Sequence, residues 1–427
     1  MLVFDRAGGT MYCMSLIVQK FGGSSLADAE KIHRAARRAI RAKLEGHGVV
    51  LVVSAMGSTT DELVSLANAV CSHPPKREMD VLLTTGEQVS IALMAMAIDA
   101  AGHEAISLTA VQLGLVTDST HTRARVQRIS RRRIDRELAD EKIVIVAGFQ
   151  GIDPTGELTT MGRGASDTTA TALAVVLGAK VCEIYTDVDG VYTADPRLVP
   201  QARKIDAISY DEMLEMAATG AGVMHSRAIE FGKKFDLPIH VRSSLTDATG
   251  TMIKSEDAGM ESVSVRGVTL KEDLAFILLV GAPNSLGVAS RVFSRIADRQ
   301  IMVDDIVQGV YDGGKLANLG FLVGSADFSE ARTVCEQLSR EIGITGVEVS
   351  EKVSKVSVIG IGMRSHSGVA AMMFDALAGA EVGIEEVSTS EIVISCVVRH
   401  DDGPRAVRAL HETFRLDEPP EDQDVPQ

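Results

Sequence analysis

A lysine followed by two glycines and two serines offers phosphate chemistry near the start of this chain. In the segment Val18-Gln19-Lys20-Phe21-Gly22-Gly23-Ser24-Ser25, an apolar run precedes the lysine and a helical pattern follows Ser25. Glycines let the main chain approach a polyphosphate, and a helix start turns free N–H groups toward it. Lys20 would offset charge on a transferring phosphoryl group. The order is not the Walker pattern, because the lysine comes first, and a purely structural turn is the alternative.

A second glycine-rich turn places an arginine and an aspartate before another helical pattern. Residues 160–169 read Thr-Met-Gly-Arg-Gly-Ala-Ser-Asp-Thr-Thr, and the pattern predicts a helix over 168–177. Packing explains an arginine between glycines poorly, whereas its guanidinium group can bind a carboxylate or phosphate through two hydrogen bonds. We therefore predict a binding role for Arg163. Asp167 either caps the helix or orients Lys20.

Two further polar segments precede helices. Residues 54–61 (Ser-Ala-Met-Gly-Ser-Thr-Thr-Asp) follow a buried strand, and their hydroxyls suit either a ligand anion or an ordinary N-cap at Thr59 or Thr60. Residues 84–87 (Thr-Thr-Gly-Glu) begin a very apolar helical pattern. This places Glu87 in a first turn, where the helix dipole favours a carboxylate. The functional alternative is that Glu87 binds a substrate ammonium group.

A charged loop follows a third strand. Residues 185–197 read Tyr-Thr-Asp-Val-Asp-Gly-Val-Tyr-Thr-Ala-Asp-Pro-Arg, and such a loop can hold a nucleoside. A Ca²⁺ loop is the competing interpretation, but the terminal glutamate of an EF-hand is absent. His225, His240 and His366 are isolated and are interpreted as structural or surface residues.

Composition excludes several classes of partner. The chain has 427 residues and a net charge of −15, and it contains no tryptophan, which argues against nucleic acid. No apolar run in the sequence approaches the length of a membrane span, so no membrane partner is expected. The five cysteines lack ligand spacing, which indicates reduced thiols in the cytoplasm and no protein-held metal.

The order of strand and helix patterns predicts an α/β domain. Apolar strands at 49–54, 143–147, 181–186 and 239–242 alternate with helical patterns. Such alternation implies a mostly parallel sheet covered by helices on both faces, with ligands bound beyond the carboxyl ends of the strands. Lys20, Ser54 and Asp187 all fall at such ends.

An internal repeat follows this domain. Residues 287–306 match residues 368–387 in their glycine, apolar and acidic positions, and each copy predicts a ferredoxin-like βαββαβ unit. A duplicated small domain after a larger one suggests regulation, and a dimerisation role is compatible with it. The predicted organisation is a leader at 1–14, an α/β domain at 15–253, a linker at 254–262, repeats at 263–350 and 351–416, and a disordered acidic tail at 417–427.

These segments, in this order, resemble the aspartate kinase family of the amino-acid kinase superfamily, from about residue 16 to 416. The resemblance implies a three-layer αβα sandwich with a mostly parallel sheet, followed by two ferredoxin-like ACT domains. It also implies that ATP, with Mg²⁺, phosphorylates the side-chain carboxylate of L-aspartate to 4-phospho-L-aspartate. That reaction is the first step toward lysine, threonine, methionine and diaminopimelate, and the enzyme would be monofunctional.

The resemblance assigns roles to the matching residues. Lys20 and Asp167 would be catalytic, and Asp167 would organise Lys20 rather than act as a base. Mg²⁺ would bind mainly through the phosphates. Two departures stand out: Ala165 occupies a position that is often glycine, and Gly222 one that is commonly lysine. The substrate residues would be Ser54, Thr60, Glu87, Arg163 and Ser166, and the nucleotide residues Lys20, Gly22, Gly23, Ser24, Thr186, Asp187, Tyr192 and Arg197.

The paired ACT domains imply partners. In this family they bind lysine, threonine or both and pair between chains, so we expect feedback regulation and a homo-oligomer. One competing hypothesis is another acyl-phosphate-forming kinase, acting on glutamate or N-acetylglutamate. Another is an amino-acid sensor with an inactive kinase domain. Glu87 argues against an acylated amine, and Lys20, Asp167 and Arg163 argue against an inactive domain.

Overall fold

The computed structural model describes residues 15–162, 164–256, 265–364 and 368–419. The predicted leader, most of the predicted linker and tail, Arg163 and His366 lie outside the described residues. The chain divides into two compact units, which are considered separately. Unit 1 comprises residues 1–191, 204–217 and 222–260, and unit 2 comprises residues 192–203, 218–221 and 261–427.

Unit 1 contains twelve strands and eight helices among its described residues, and a 3₁₀ turn at Gly23–Leu26 precedes the first helix. In chain order they are β1 Leu16–Phe21, α1 Ala29–Leu44, β2 Gly48–Val53, α2 Thr59–Val70, α3 Lys76–Ala100, β3 Ala105–Leu108, α4 Ala110–Leu113, β4 Leu115–Thr117, β5 Val126–Ile129, α5 Arg132–Ala139, β6 Ile143–Ala147, β7 Gln150–Ile152, β8 Leu158–Thr160, α6 Ala165–Leu177, β9 Val181–Thr186, β10 Ala207–Ser209, α7 Tyr210–Ala218, α8 Ser226–Phe235, β11 Ile239–Ser243 and β12 Thr251–Lys254.

The main sheet of unit 1 is mostly parallel, as predicted. Its order is β10-β12-β11-β9-β1-β2-β6-β3, and only the β11–β12 pair is antiparallel. The four predicted strands are present within one residue of their expected bounds, as β2, β6, β9 and β11. A smaller sheet has the order β5-β4-β7-β8. The central strands β1, β2 and β6 are buried on both faces, as parallel sheets require.

Alternation along the strands divides the core of unit 1 into two layers. Odd-numbered side chains such as Phe21, Leu51 and Ile145 pack in one cluster with residues of α1 and α3. Even-numbered side chains such as Val18 and Val52 are fully buried on the other face. Because side chains alternate along a strand, Lys20 lies on the same face of the sheet as Val18, and its ammonium group extends on that face.

Helix α3 is long and apolar enough to span a membrane by length and composition, so the expectation that no apolar run approaches the length of a span is wrong. It is the one helix of that kind among the described residues. Half of its most apolar window is buried inside the protein, and Ile91, Met94 and Ile98 belong to the core cluster beneath α1. Burial of this kind is also found in the core helix of a soluble protein.

Unit 2 forms one six-stranded sheet with helices packed against it. Its order is β14-β15-β13-β16-β18-β17, and every pair is antiparallel. The elements are β13 Gly267–Pro283, α9 Val288–Asp298, β14 Val303–Tyr311, β15 Leu316–Gly324, α10 Phe328–Ile342, β16 Gly346–Ile359, α11 Val369–Gly379, β17 Ile384–Thr389, β18 Val393–Arg399 and α12 Gly403–Thr413.

The two repeats share their long central strands. The first repeat runs β13-α9-β14-β15-α10-β16 along the chain. The second uses the far half of β16, then α11, β17, β18 and α12, and its fourth strand is the beginning of β13, where Gly267 pairs with Ile359. The predicted boundary between residues 350 and 351 assigns all of β13 to the first repeat. In the structure, the first residues of β13 pair with the end of β16 and so form part of the second repeat.

Candidate active site

The carboxyl ends of neighbouring parallel strands meet at one edge of the main sheet. After β1, the N–H of Gly22 donates to Tyr185 O at 3.3 Å. After β2, the N–H of Ser54 donates to Phe21 O at 3.1 Å, and Gly148, after β6, donates to the last residue of β2 at 3.0 Å. This edge is where ligands bind in open α/β sheets.

Lys20 and Asp167 form an ion pair at this edge. Lys20 Nζ lies 2.6 Å from Asp167 Oδ1, and their side chains are 12% and 8% exposed. Asp167 is the third residue of α6, whose N-cap residue is Gly164. The alternative that Asp167 caps this helix is therefore wrong, and the helix begins at Ala165, three residues before its predicted start. A nearly buried lysine and carboxylate in contact can hold each other in one geometry.

The glycine turn after β1 wraps closely around neighbouring main chain. A Cβ atom on Gly23 would lie 2.7 Å from Ala55 O, and one on Gly22 would lie 3.3 Å from Lys20 Nζ. Gly57 N donates to Gly23 O at 2.9 Å, and Ser24 is exposed. The turn therefore has little room for any side chain at Gly23.

The helix after this turn begins later than the sequence indicates. Residues Gly23–Leu26 form a 3₁₀ turn, and α1 begins at Ala29 with Asp28 as its N-cap, accepting from Lys31 N at 2.9 Å. The first N–H groups of α1 are thus partly satisfied by Asp28. Within the turn itself, Gly22 N and Ser25 N already donate to Tyr185 O and Gly22 O, so the N–H groups of Gly23 and Ser24 are the candidates for contact with a phosphate.

Glu87 lies in the middle of α3, not in a first turn. The helix begins at Lys76, so the dipole explanation is wrong. Glu87 is 3% exposed, its Oε1 accepts from Ala55 N at 3.1 Å, and its Oε2 is buried without a hydrogen-bond partner. Burial raises the pKa of Glu87 to about 7. A cationic group that reached Oε2 would lower that pKa again.

Close packing brings α3 to the Ser54–Ala55 turn. A Cβ atom on Gly86 would lie 2.8 Å from the Ala55 Cβ, so glycine allows Glu87 to reach the main chain after β2. Thr60 is half-buried in the first turn of α2. The N-cap residue of α2 is Ser58, and its side chain makes no capping hydrogen bond, so the N-cap explanation for Thr59 and Thr60 is wrong.

The second glycine turn leads directly into Asp167. Ser166 is 6% exposed, and a Cβ atom on Gly148 would lie 2.6 Å from Ser166 Oγ. Ser166 thus lies against the end of β6. Arg163 lies outside the described residues, so its role stays a prediction.

The predicted nucleotide residues fall into both units. Thr186 ends β9 and donates from Oγ1 to Asp187 Oδ1 at 3.1 Å, next to the Gly22 turn. Tyr192 and Arg197 belong to unit 2, where Arg197 forms an ion pair with Asp195 at 2.6 Å. The structure therefore brings Thr186 and Asp187 to the sheet edge with Lys20, and the roles of Tyr192 and Arg197 stay predictions.

Three site features escaped the sequence analysis. His225, interpreted above as an isolated histidine, donates its main-chain N–H toward Asp167 Oδ2 at 3.4 Å. Asp80, fully buried, accepts from Thr160 Oγ1 at 2.6 Å before the second glycine turn. Ser25 Oγ donates to Ser244 Oγ at 2.8 Å after β11. None of these pairs has a local spacing, because each joins residues at least 58 positions apart.

The electrostatics of the site suit a charged ligand that carries its own metal. Across the described ranges, no three His, Cys, Asp or Glu side chains are arranged to hold a metal ion. The exposed carboxylate of Asp187 and the ammonium group of Lys20 stand at the same strand ends. A nucleotide-bound Mg²⁺ ion fits this set, because Mg²⁺ keeps most of its ligands from phosphates and water.

Comparison with known proteins identifies relatives of both parts of the chain. Residues 15–243 match the amino acid kinase family, and residues 356–414 match an ACT domain. The chain is 49% identical to the aspartokinase of Bacillus sp. strain MGA3, over 94% of this chain and 98% of that protein. It is 47% identical to aspartokinase 2 of Bacillus subtilis, over 95% of this chain and 99% of that protein.

The fold is also shared with a solved structure. E. coli aspartokinase III, in complex with aspartate and ADP, is 25% identical with a TM-score of 0.78, over 94% of this chain and 100% of that one. That similarity extends across both the α/β unit and the repeated unit.

Proposed function

The chain belongs to the aspartokinase family and is an aspartate kinase, and we propose that its product is 4-phospho-L-aspartate. In this proposal the γ-phosphoryl group of ATP passes to the side-chain carboxylate of L-aspartate. The product would open the routes to lysine, threonine, methionine and diaminopimelate. Residues 15–253 would form the catalytic domain, the two repeats the ACT domains, and the enzyme would act in the cytoplasm.

The single observation that carries the proposal is the Lys20–Asp167 ion pair at the sheet edge, and the buried carboxylate of Glu87 adds the choice of substrate. Lys20 and Asp167 are in contact at 2.6 Å. Glu87 accepts through Oε1 from Ala55 N, just after the neighbouring strand β2, and its buried Oε2 lacks a hydrogen-bond partner. A buried carboxylate oxygen without a partner is costly unless a ligand supplies one. An α-ammonium group would supply both a donor and the opposite charge, whereas an acylated amine would supply only a neutral N–H donor.

The acceptor needs no general base. The side chain of free aspartate has a pKa of about 3.9, so it is ionised at neutral pH. The barrier is instead the repulsion between that carboxylate and the polyphosphate, which Lys20 and the N–H groups of the glycine turns would offset. Asp167 holds the Lys20 ammonium group at the strand end. Mg²⁺, when bound through the nucleotide phosphates, would neutralise further phosphate charge.

The remaining site residues divide between the two substrates. Glu87 would bind the α-ammonium group of aspartate and Arg163 its α-carboxylate, so that both charged ends of an amino acid are recognised. The hydroxyls of Ser54, Thr60 and Ser166 would line the same pocket. The nucleotide would contact Gly22, Gly23, Ser24, Thr186, Asp187, Tyr192 and Arg197.

Regulation through the repeated unit is the second part of the proposal. E. coli aspartokinase III has also been solved with lysine and aspartate, and we propose lysine, threonine or both as effectors here. The edge strand β14 exposes 55% of Ile306 and 52% of Val310. An edge strand with apolar side chains is a ready surface for pairing, which supports a homo-oligomer formed through the ACT domains.

One experiment tests substrate and effectors together. ADP release is measured with aspartate, glutamate and N-acetylglutamate, each with and without lysine and threonine, using Lys20→Ala as the inactive control. Release that requires aspartate supports the proposed substrate, and equal release with N-acetylglutamate contradicts it. If neither lysine nor threonine changes activity or thermal stability, the regulatory part is wrong. A binding module without activity would show aspartate-dependent stabilisation but no ADP.

A further inference from the structure

The segment that begins α8 contacts the second glycine turn at both of its ends. At the start of the turn, Arg227 NH1 donates to Met161 O at 2.9 Å. At its end, His225 packs against Gly164, where an added Cβ atom would lie 2.4 Å from the imidazole Cδ2. The main-chain N–H of His225 also donates toward Asp167 Oδ2 at 3.4 Å.

The Arg227 side chain connects α8 to two other pieces of main chain, at Met161 and at Ala124. Its second terminal nitrogen donates to Ala124 O at 3.3 Å, and Ala124 N in turn donates to Thr160 O at 2.9 Å. A guanidinium group presents its donors in a rigid fork, so two carbonyl acceptors fix their relative position. Burial lowers the pKa of Arg227, and the cation is retained because arginine stays protonated far above neutral pH. Arg227 therefore ties the loop before β5 to the turn.

His225 is held in one orientation by the helix it begins. It is the N-cap residue of α8, and its Nδ1 accepts from Arg227 N at 3.3 Å. That hydrogen bond requires Nδ1 to be unprotonated. The ring is thereby placed against Gly164, whose φ of 68° lies in the left-handed region that favours glycine. The absence of a side chain at Gly164 leaves the space that the His225 ring occupies.

On the basis of the proposed function, we propose that Arg227 and His225 are positioning residues for phosphoryl transfer. Neither touches the Lys20–Asp167 pair through its own charge. Arg227 fixes the entry of the turn and His225 its exit, and Asp167 follows within three residues of Gly164. Because Asp167 holds Lys20 at 2.6 Å, a shift of the turn changes where the ammonium group stands. A misplacement of about 1 Å at a reacting centre costs up to about 100-fold in rate.

The first test replaces Arg227 by methionine and by lysine in the full chain. We expect Arg227→Met to lower kcat at least about ten-fold, and Arg227→Lys, which keeps the charge but lacks the planar fork of donors, to give an intermediate value. Ile229→Val is the matched control, because Ile229 is fully buried in the same helix and the change removes only a methylene. A kcat within two-fold of the wild type in a folded Arg227 variant overturns the proposal, as does an equal loss in Ile229→Val. If Arg227→Met does not fold, Arg227→Lys is judged by the same criterion.

The second test is a double-mutant cycle between Gly164 and His225. Gly164→Ala should lower kcat strongly in the wild type, because the new Cβ would lie within 2.5 Å of Cβ, Cγ and Cδ2 of His225. The loss should be smaller in His225→Gly, where all three atoms are absent and only the backbone strain of alanine at this positive φ remains. An equal loss in both backgrounds overturns the role of His225. These outcomes are separable from failure of the proposed function, in which the wild-type chain itself would release no ADP with aspartate.

Discussion

Replacing Glu87 by glutamine should make the enzyme more stable and less able to bind aspartate. Glu87 is buried, and its Oε2 has no hydrogen-bond partner. The pKa of Glu87 is raised from 4.5 to about 7 by burial. A group whose pKa is raised in the folded protein contributes stability below its unfolded pKa and loses it as the pH rises through the folded value. Above pH 7, the ionised Glu87 therefore destabilises the ligand-free fold.

The magnitude follows from the two pKa values. A difference of one in pKa corresponds to about 1.4 kcal/mol, so the ionised carboxylate costs up to about 3 kcal/mol at pH 8.5. Glutamine keeps an acceptor for Ala55 N but buries an amide NH₂ without a partner, which offsets about 1 kcal/mol. We expect Glu87→Gln to raise the free energy of unfolding by about 2 kcal/mol at pH 8.5. The gain should disappear at about pH 5, where the remaining cost of Glu87 no longer exceeds that of the buried amide, and below about pH 4 Glu87 is protonated in both states.

The same change should weaken aspartate binding. A hydrogen bond to a charged group is worth about 1.5–3 kcal/mol, so the aspartate KM should rise about 10- to 150-fold at pH 8 while the ATP KM changes little. Urea unfolding at pH 8.5 and 5, together with initial rates of ADP release, measures both effects. Glu62→Gln, an exposed glutamate on α2, is the control and should change neither. Lower stability at pH 8.5 with an unaltered aspartate KM would refute this reasoning.

Four further outcomes are expected. In the wild type, the aspartate KM should rise as the pH falls below about 7, because a protonated Glu87 cannot pair with the ammonium group; a constant KM between pH 5.5 and 8 argues against this pairing. Lys20→Ala should lower kcat about 100- to 1,000-fold with its thermal transition retained; unchanged turnover would remove Lys20 from the mechanism. Gly23→Ala should impair nucleotide binding, because the added Cβ lies 2.7 Å from Ala55 O, and a normal ATP KM would contradict the phosphate role of this turn. Arg163→Ala should mainly raise the aspartate KM, and an effect on the ATP KM alone would show that Arg163 binds the other substrate.

The site contains one complete ion pair, between Lys20 and Asp167, and one buried carboxylate, Glu87, with an oxygen that has no hydrogen-bond partner. Lys20 already has its carboxylate partner in Asp167, so its position does not depend on the substrate. Glu87 has a main-chain donor on one oxygen only, and in the proposed function the substrate ammonium group would pair with the other oxygen. We therefore expect the site to bind amino acids with a free ammonium group better than their acylated forms, because only the ammonium group supplies a charge opposite to that of Glu87.

Local patterns were sufficient for the strands and for the residues that end them. The runs of β2 and β6 are buried on both faces of a parallel sheet and are visible in a sequence as continuous apolar stretches. In β9 and β11 the apolar residues are interrupted by Glu183, His240 and Arg242, but enough of them remain to indicate strands. Helix starts were less predictable. The apolar residues of α3 begin well before Thr84, but Lys76, Arg77 and Glu78 make its first turns polar, so the sequence indicated a later start and placed Glu87 in the wrong turn.

Long-range packing decided which candidates meet and which supporting residues matter. His225 has no neighbouring polar residue in the sequence that links it to Asp167, and its contact depends on α8 returning to the start of α6. The shared strands of the repeated unit, in which the start of β13 pairs with the end of β16, are equally invisible to a pattern that runs along one segment. In both cases, residues far apart in the sequence come together because the helices and strands that carry them bury their apolar faces.

The sequence alone determined which chemical groups are available. They are a lysine before the first glycine turn, an aspartate after the second, and polar residues at the ends of strands. Those features are local, since each depends on residue types within a few positions. Tertiary structure decided that Lys20 points to α6 and meets Asp167, that Glu87 is buried with one oxygen unpartnered, and that α8 holds the second turn. These outcomes depend on strand parity and helix packing, which join residues across the chain and set the burial that changes a carboxyl group's pKa.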